Sequence, residues 1–181
     1  AEQTEKFAKS LKTGAATVKE LAADLARATA AAEAPPVSGA ETQLSMTELQ
    51  QVLEAAVTER AALETKLSGY ELRDRTLQAR PAEIVQDKNK LSARIGELEL
   101  SMSGIGADDG TEQSRARQQS LEAEVAARQA ELDTLNQEQL SHGIRLEINT
   151  ARRRLAEVNL ARSTRRVGAL EQLLLDKRQE E

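Results

Sequence analysis

Apolar positions along this chain recur at alternating steps of four and three residues. Phe7, Leu11, Gly14, Val18, Leu21, Leu25, Ala28 and Ala32 form a first series. Leu49, Leu53, Ala56, Arg60, Leu63, Leu67, Tyr70, Asp74 and Leu77 form a second. Leu91, Ile95, Leu98 and Met102 extend it, and Leu121, Val125, Arg128, Leu132 and Leu135 resume it further on. Such spacing keeps one narrow seam on one side of a helix, and only another helix laid lengthwise can bury it. A strand needs period two, which no stretch sustains. The expected fold class is all-α: a long antiparallel helical hairpin or coiled-coil bundle with an additional N-terminal helix.

Breakers divide the pattern. An amphipathic helix is expected over residues 1–34, from about Thr4 to Glu33, and the Pro35-Pro36 pair stops it because proline lacks the amide donor and disfavours helix before it. Residues 35–45 read as a Pro/Gly/Ser linker. Ser45 with Glu48 three residues later is a capping box, which starts a second helix near Met46. Residues 46–181 form the hairpin, with its turn at 103–111, where Gly104, Gly106 and Gly110 accompany Asp108 and Asp109. Two helix breaks are expected within it. At 80–81, Pro81 inside a helix costs roughly 3 kcal/mol, so a kink or a stop and restart is predicted. At 141–143, Ser141-His142-Gly143 reads as a stop, with Gly143 a helix-ending residue of positive φ. These breaks and Gly69 fall at similar heights on the two arms, as a hinge requires. Across the hairpin, residue numbers should sum to roughly 215 for a turn this short, which puts Leu98 near residue 117 and Leu91 near residue 124.

Composition agrees with rods rather than a rounded core. Phe7 and Tyr70 are the only aromatics, and there is no Trp or Cys. Aromatics supply much of the buried area of compact enzymes; here Ala, Leu, Glu, Gln and Arg, all good helix formers, take their place. Thirty acidic residues against 25 basic ones give a net charge of -5. Mixed charge of that sign favours a solvated, ion-paired surface and argues against nucleic acid as a partner. No apolar run approaches the ~20 residues of a membrane span.

No catalytic constellation is present, and no enzyme is expected. His142 is the only histidine, without the spacing of a metal site, and reads as a turn or cap residue. Gly104-Ile105-Gly106 lacks the third glycine and preceding strand of a phosphate loop. No catalytic, cofactor-binding or metal residues are assigned, and no cofactor is expected. The one candidate contact surface is electrostatic: Arg145, Arg152, Arg153, Arg154, Arg162, Arg165 and Arg166, opposed between Arg145 and Arg166 only by Glu147 and Glu157. At 100° per residue these arginines cover well over half of a helix circumference. A solvated face paired with neighbouring acids is the expected reading. Contact with an anionic surface such as lipid headgroups, cell-wall polymer or nucleic acid is the alternative. Arg60 and Arg128 stand in the seam itself. Their stems can lie along it while the guanidinium escapes sideways, or they can pair across it and set register.

From Arg80 onward the chain resembles the periplasmic helical region of large MscS-type mechanosensitive channels, the MscK/KefA and MscM-like branch. The resemblance rests on an ordered series. Arg80-Pro81-Ala82-Glu83-Ile84 and Arg94-Ile95-Gly96-Glu97-Leu98-Glu99-Leu100 come before a variable polar turn. Leu121-Glu122-Ala123-Glu124, Leu135-Asn136-Gln137-Glu138-Gln139-Leu140-Ser141, Arg145-Leu146-Glu147 and Arg153-Arg154-Leu155-Ala156 come after it. Ala169-Leu170-Glu171-Gln172-Leu173-Leu174 and Lys177-Arg178 close it.

The resemblance implies the periplasmic part of a Gram-negative inner-membrane channel that opens on osmotic downshock. It implies no enzymatic residues. The expected role is structural, in assembly, or in modulating gating. Self-association in a homo-oligomeric channel is the expected partnership, with envelope contact besides, and with membrane contact only through segments outside this chain. The rival reading is a helical scaffold or adaptor hairpin of an envelope assembly, a signalling stalk or a phage structural protein, which the heptads support equally.

Overall fold

The computed structural model describes residues 2–104 and 111–180. Helix α1 spans Glu2–Ala32, α2 spans Met46–Ser103 and α3 spans Glu112–Glu180, with a single 3-10 turn at Glu41–Gln43 in the linker. No strand occurs among the described residues. The glycine-rich turn expected at 103–111 falls largely on residues 105–110, which lie outside the described residues.

Local chemistry sets the starts. Ser45 donates its amide and its hydroxyl to Glu48 Oε2 at 2.8 and 2.6 Å, and Glu48 N returns a bond to Ser45 Oγ at 3.4 Å. This box opens α2. The same motif stands seven residues earlier in the linker, where Ser38 N reaches Glu41 Oε2 at 2.7 Å.

Both expected breaks are helical. α2 continues through Pro81. The seven-residue rhythm runs through it without a shift, since Leu77 at 3 % exposure is followed by Ile84 at 0 %. Burial on both sides offsets the lost amide bond. α3 likewise runs through Ser141, His142 and Gly143. Gly143 has no positive φ, and a Cβ there would meet nothing within 4 Å. Gly143 is therefore not a helix-ending residue, and His142 is neither turn nor cap: it lies half-buried in mid-helix. The heptad seam that α3 presents around these residues outweighs the low helix propensity of one glycine.

The chain divides into two compact units. The first comprises Ala1–Gly14 with Thr76–Arg145, the second Ala15–Arg75 with Leu146–Glu181.

In the first unit Arg94 reaches Glu124 and Arg80 reaches Glu138, so α2 and α3 run antiparallel, close to the expected register. α1 lies parallel to α3: Thr4 and Thr134 share a hydrogen bond at 2.8 Å, and Gly14 packs on Ile144. The two helices come so close at Gly14 that a Cβ would sit 2.2 Å from Ile144 Cγ1. The buried apolar residues are few: Phe7, Leu77, Ile84 and Leu98.

The second unit has a continuous apolar core of Leu49, Ala56, Val167, Leu170 and Leu174, flanked by Val37, Leu44, Met46, Val52, Leu53 and Leu173. Leu49 and Leu170 are fully buried. Small or polar residues occupy the remaining core layers of α3, namely Asn149, Ala156 and Ser163. Asn149 donates through Nδ2 to the Tyr70 carbonyl at 3.0 Å and to Asp74 Oδ1 at 3.3 Å.

Candidate functional site: the arginines of the third helix

The seven arginines do not form one surface. Arg145 belongs to the first unit and the other six to the second. Arg145 stacks over the Phe7 ring, 4.8 Å from its centroid, and stands 3.5 Å from Glu138 Oε1. It is a packed core-edge residue, held by a cation–π contact and an ion pair.

Its partner Glu138 is 8 % exposed and sits between two guanidinium groups. Arg80 Nε donates to Oε1 at 3.0 Å and Nη2 to Oε2 at 2.9 Å, a bidentate fork. Arg80 Nη1 adds a bond to Glu83 at 3.1 Å and a longer contact with Asp87 at 3.5 Å. The hydrogen bonds from Arg80 hold the Glu138 carboxyl below its usual value of 4.5. The Glu138 carboxylate in turn raises the Arg80 guanidinium above its own ordinary value. Both groups are therefore charged across the neutral range. The Glu138 carbonyl also takes the hydroxyl of fully buried Ser141 at 3.1 Å.

Six arginines lie along the second unit's part of α3. Arg152 and Arg154 are exposed and have no ion-pair or hydrogen-bond partner among the described residues. Arg153 stands 3.8 Å from Glu157 on its own helix. This stretch is the solvated face that the sequence suggests, although only one of the three arginines has an acidic neighbour in reach.

The remaining three converge. Arg162, Arg165 and Arg166 line a cleft of about 310 Å³ together with Ala32, Ala34, Pro35, Pro36, Ser38 and Glu41. Arg165 Nη2 donates to the Ala32 carbonyl, which is otherwise an unsatisfied acceptor in the last turn of α1. Arg166 Nη2 pairs with Glu41 at 2.8 Å. Glu41 is held below the usual carboxylate value first by the Ser38 amide and then, against some desolvation, by the Ser38 hydroxyl and Arg166. Arg162 has no partner among the described residues. It also lines an adjoining cleft of about 240 Å³ with Glu59, Leu63, Asn159, Ser163 and Arg166.

The seam arginines resolve in favour of sideways escape. Arg60 stands 3.6 Å from Glu64, and Arg128 pairs with Glu131 at 2.8 Å, in each case an acid of the same helix. Among the described residues no group of three or more His, Asp or Glu side chains is placed to hold a metal ion. Sequence reasoning missed the Arg80–Glu138–Arg145 cluster and the inward-facing Ser163. The first carried a signal in hindsight, since Arg80 follows the same seven-residue spacing as Arg73 and Asp87 on the edge of the seam.

A family model described as the mechanosensitive ion channel porin domain matches residues 1–181. No curated protein and no solved structure matches the chain.

Proposed function

The chain belongs to the mechanosensitive ion channel porin domain family, and from that premise we propose that it is the periplasmic part of a potassium-efflux-type channel of a Gram-negative inner membrane. Channel-associated helical domains of this family are not a known enzyme class. Among the described residues no helix is long and apolar enough to cross a membrane. The domain's work is then mechanical and associative. It associates with copies of itself around the channel and biases the tension at which the channel opens during osmotic downshock.

The observation that carries this reading is the family match along the whole length, residues 1–181. The experiment is deletion of this segment from its native channel, followed by patch-clamp measurement of the tension threshold and by survival after downshock. A shifted threshold with altered survival is expected. If both are unchanged, a gating role is excluded, and native mass measurement of the channel then tests assembly.

A further inference from the structure

We propose that the paired clefts around Arg162 in the second unit form a binding site for a singly charged phosphate group, as in a phosphodiester. Ser163 provides the first observation. It is 6 % exposed, and its Oγ is buried without a hydrogen-bond partner among the described residues. Helical hydroxyls in the same unit behave differently: Thr58 and Thr65 each donate to the carbonyl four residues back, at 2.9 and 3.0 Å. Ser163 lines the smaller cleft beside the Asn159 amide, Arg162 and Arg166. A buried hydroxyl left unpaired is costly, and an oxyanion entering the cleft would satisfy it.

Charge provides the second observation. Arg162 has no partner, while Arg165 and Arg166 are held in place by the Ala32 carbonyl and Glu41 through one nitrogen each, which leaves the other guanidinium donors available. Fixed guanidinium forks suit the tetrahedral oxygens of phosphate. Three arginines face Glu41 and Glu59, the acids that line the two clefts, so one positive charge is left over. That surplus matches a phosphodiester better than a dianion, and it excludes a cation. The site is narrower than the arginine run: Arg152, Arg153 and Arg154 line neither cleft.

A phosphodiester reaches such a site from a lipid headgroup or from a free ester, and the test separates them. The 181-residue chain is titrated with dimethyl phosphate while arginine Nε–H and backbone amide NMR signals are followed. Vesicles of phosphatidylglycerol and of phosphatidylcholine are tested alongside. Saturable shifts at Arg162, Arg165, Arg166 and Ser163 are expected. Arg162→Gln should weaken binding about tenfold, as for loss of one charged hydrogen bond. It should leave the thermal melt in place, because Arg162 is exposed and unpaired. Glu59→Gln should tighten binding about threefold by removing a like charge. Arg152→Gln with Arg154→Gln should change nothing.

Binding to phosphatidylglycerol vesicles that dimethyl phosphate displaces identifies the lipid as the source. Diester binding without vesicle binding identifies a free phosphate ester. Absence of any saturable shift overturns the proposal. So does equal weakening by Arg162→Gln and by the Arg152/Arg154 pair, which would show diffuse attraction. The readout is binding by the isolated chain, so its failure is distinct from failure of the channel reading.

Discussion

The two compact units use the same three helices but different means of cohesion. The second is closed by leucine and valine: Leu49, Val167, Leu170 and Leu174 form one apolar cluster. The first buries few apolar side chains and instead places a carboxylate, Glu138, between Arg80 and Arg145. Hydrophobic burial is non-directional and carries no charge for salt to screen or mild acid to titrate. A buried ion pair is directional and depends on the protonation of its carboxylate. One chain thus carries a region whose cohesion is constant and a region whose cohesion follows its surroundings.

The sharpest way to break that contrast is Leu170→Ala. Leu170 is 0 % exposed, and truncation in a packed core costs about 3 kcal/mol. Hydrogen exchange should show lost protection in the second unit that is the same at low and high salt. A salt-dependent loss would mean the apolar cluster is not what holds that unit.

Glu138→Gln should cost about 2 kcal/mol in the first unit, since Arg80 loses its bidentate carboxylate and Arg145 the acid beside it. The sign with pH follows from the lowered carboxyl. Above the ordinary value of 4.5 the pairing contributes fully, and it is lost as pH falls below that through the lower folded-state value. Urea titrations of wild type between pH 6 and the onset of acid unfolding should show this loss, and the variant should show less of it. Equal acid sensitivity in both proteins would remove Glu138 from the account.

Gly14→Ala should destabilise the first unit by about 1–2 kcal/mol, because the added methyl collides with Ile144 Cγ1. Ile144→Ala in the same chain should restore part of the loss, and a double-mutant cycle measures the coupling. Additive effects would show that the helices separate freely there.

Gly143→Ala is expected to raise the thermal midpoint. The position is helical and open, so alanine adds up to about 1 kcal/mol of helix propensity. A lower midpoint would mean that the helix ends there after all.

The smallest effect is expected from Arg152, Arg153 and Arg154 replaced together by Gln. The only pair they contain is the exposed Arg153–Glu157 contact at 3.8 Å. Chemical denaturation should shift by less than about 1 kcal/mol.

The register of the seam and the start of α2 were legible in the chain. Phe7, Gly14, Leu49, Ala56, Leu77 and Leu98 all stand on the periodic positions and are all buried, whereas Leu11 of the first series is 42 % exposed. Ser45 and Glu48 announce the start of α2, because a capping box is a local interaction. What depends on distant partners was not legible. The seam read from the chain skips Ile84, since Pro81 suggests an interruption, yet seven residues past Leu77 the burial resumes. Whether a proline or a glycine ends a helix is decided by what the flanking turns bury, and Gly143 carries no mark of that. Of the arginines, composition gives the count but not the separation of Arg145, stacked on Phe7, from Arg162, Arg165 and Arg166 around their cleft. That separation follows from which acid and which carbonyl each one meets.

Asn149 has a mechanical consequence. Its amide is tied both to a main-chain oxygen of α2, at Tyr70, and to the Asp74 side chain. A heptad seam alone is periodic, so one helix can slide along its neighbour by about 10 Å and find equivalent leucines again. The asparagine abolishes that equivalence. Sliding α3 along α2 within this unit breaks both bonds of a buried amide, so shear along the helix axis meets a detent. Here the shorter of the amide's two bonds is an uncharged one to the Tyr70 carbonyl, which neither salt nor acid releases.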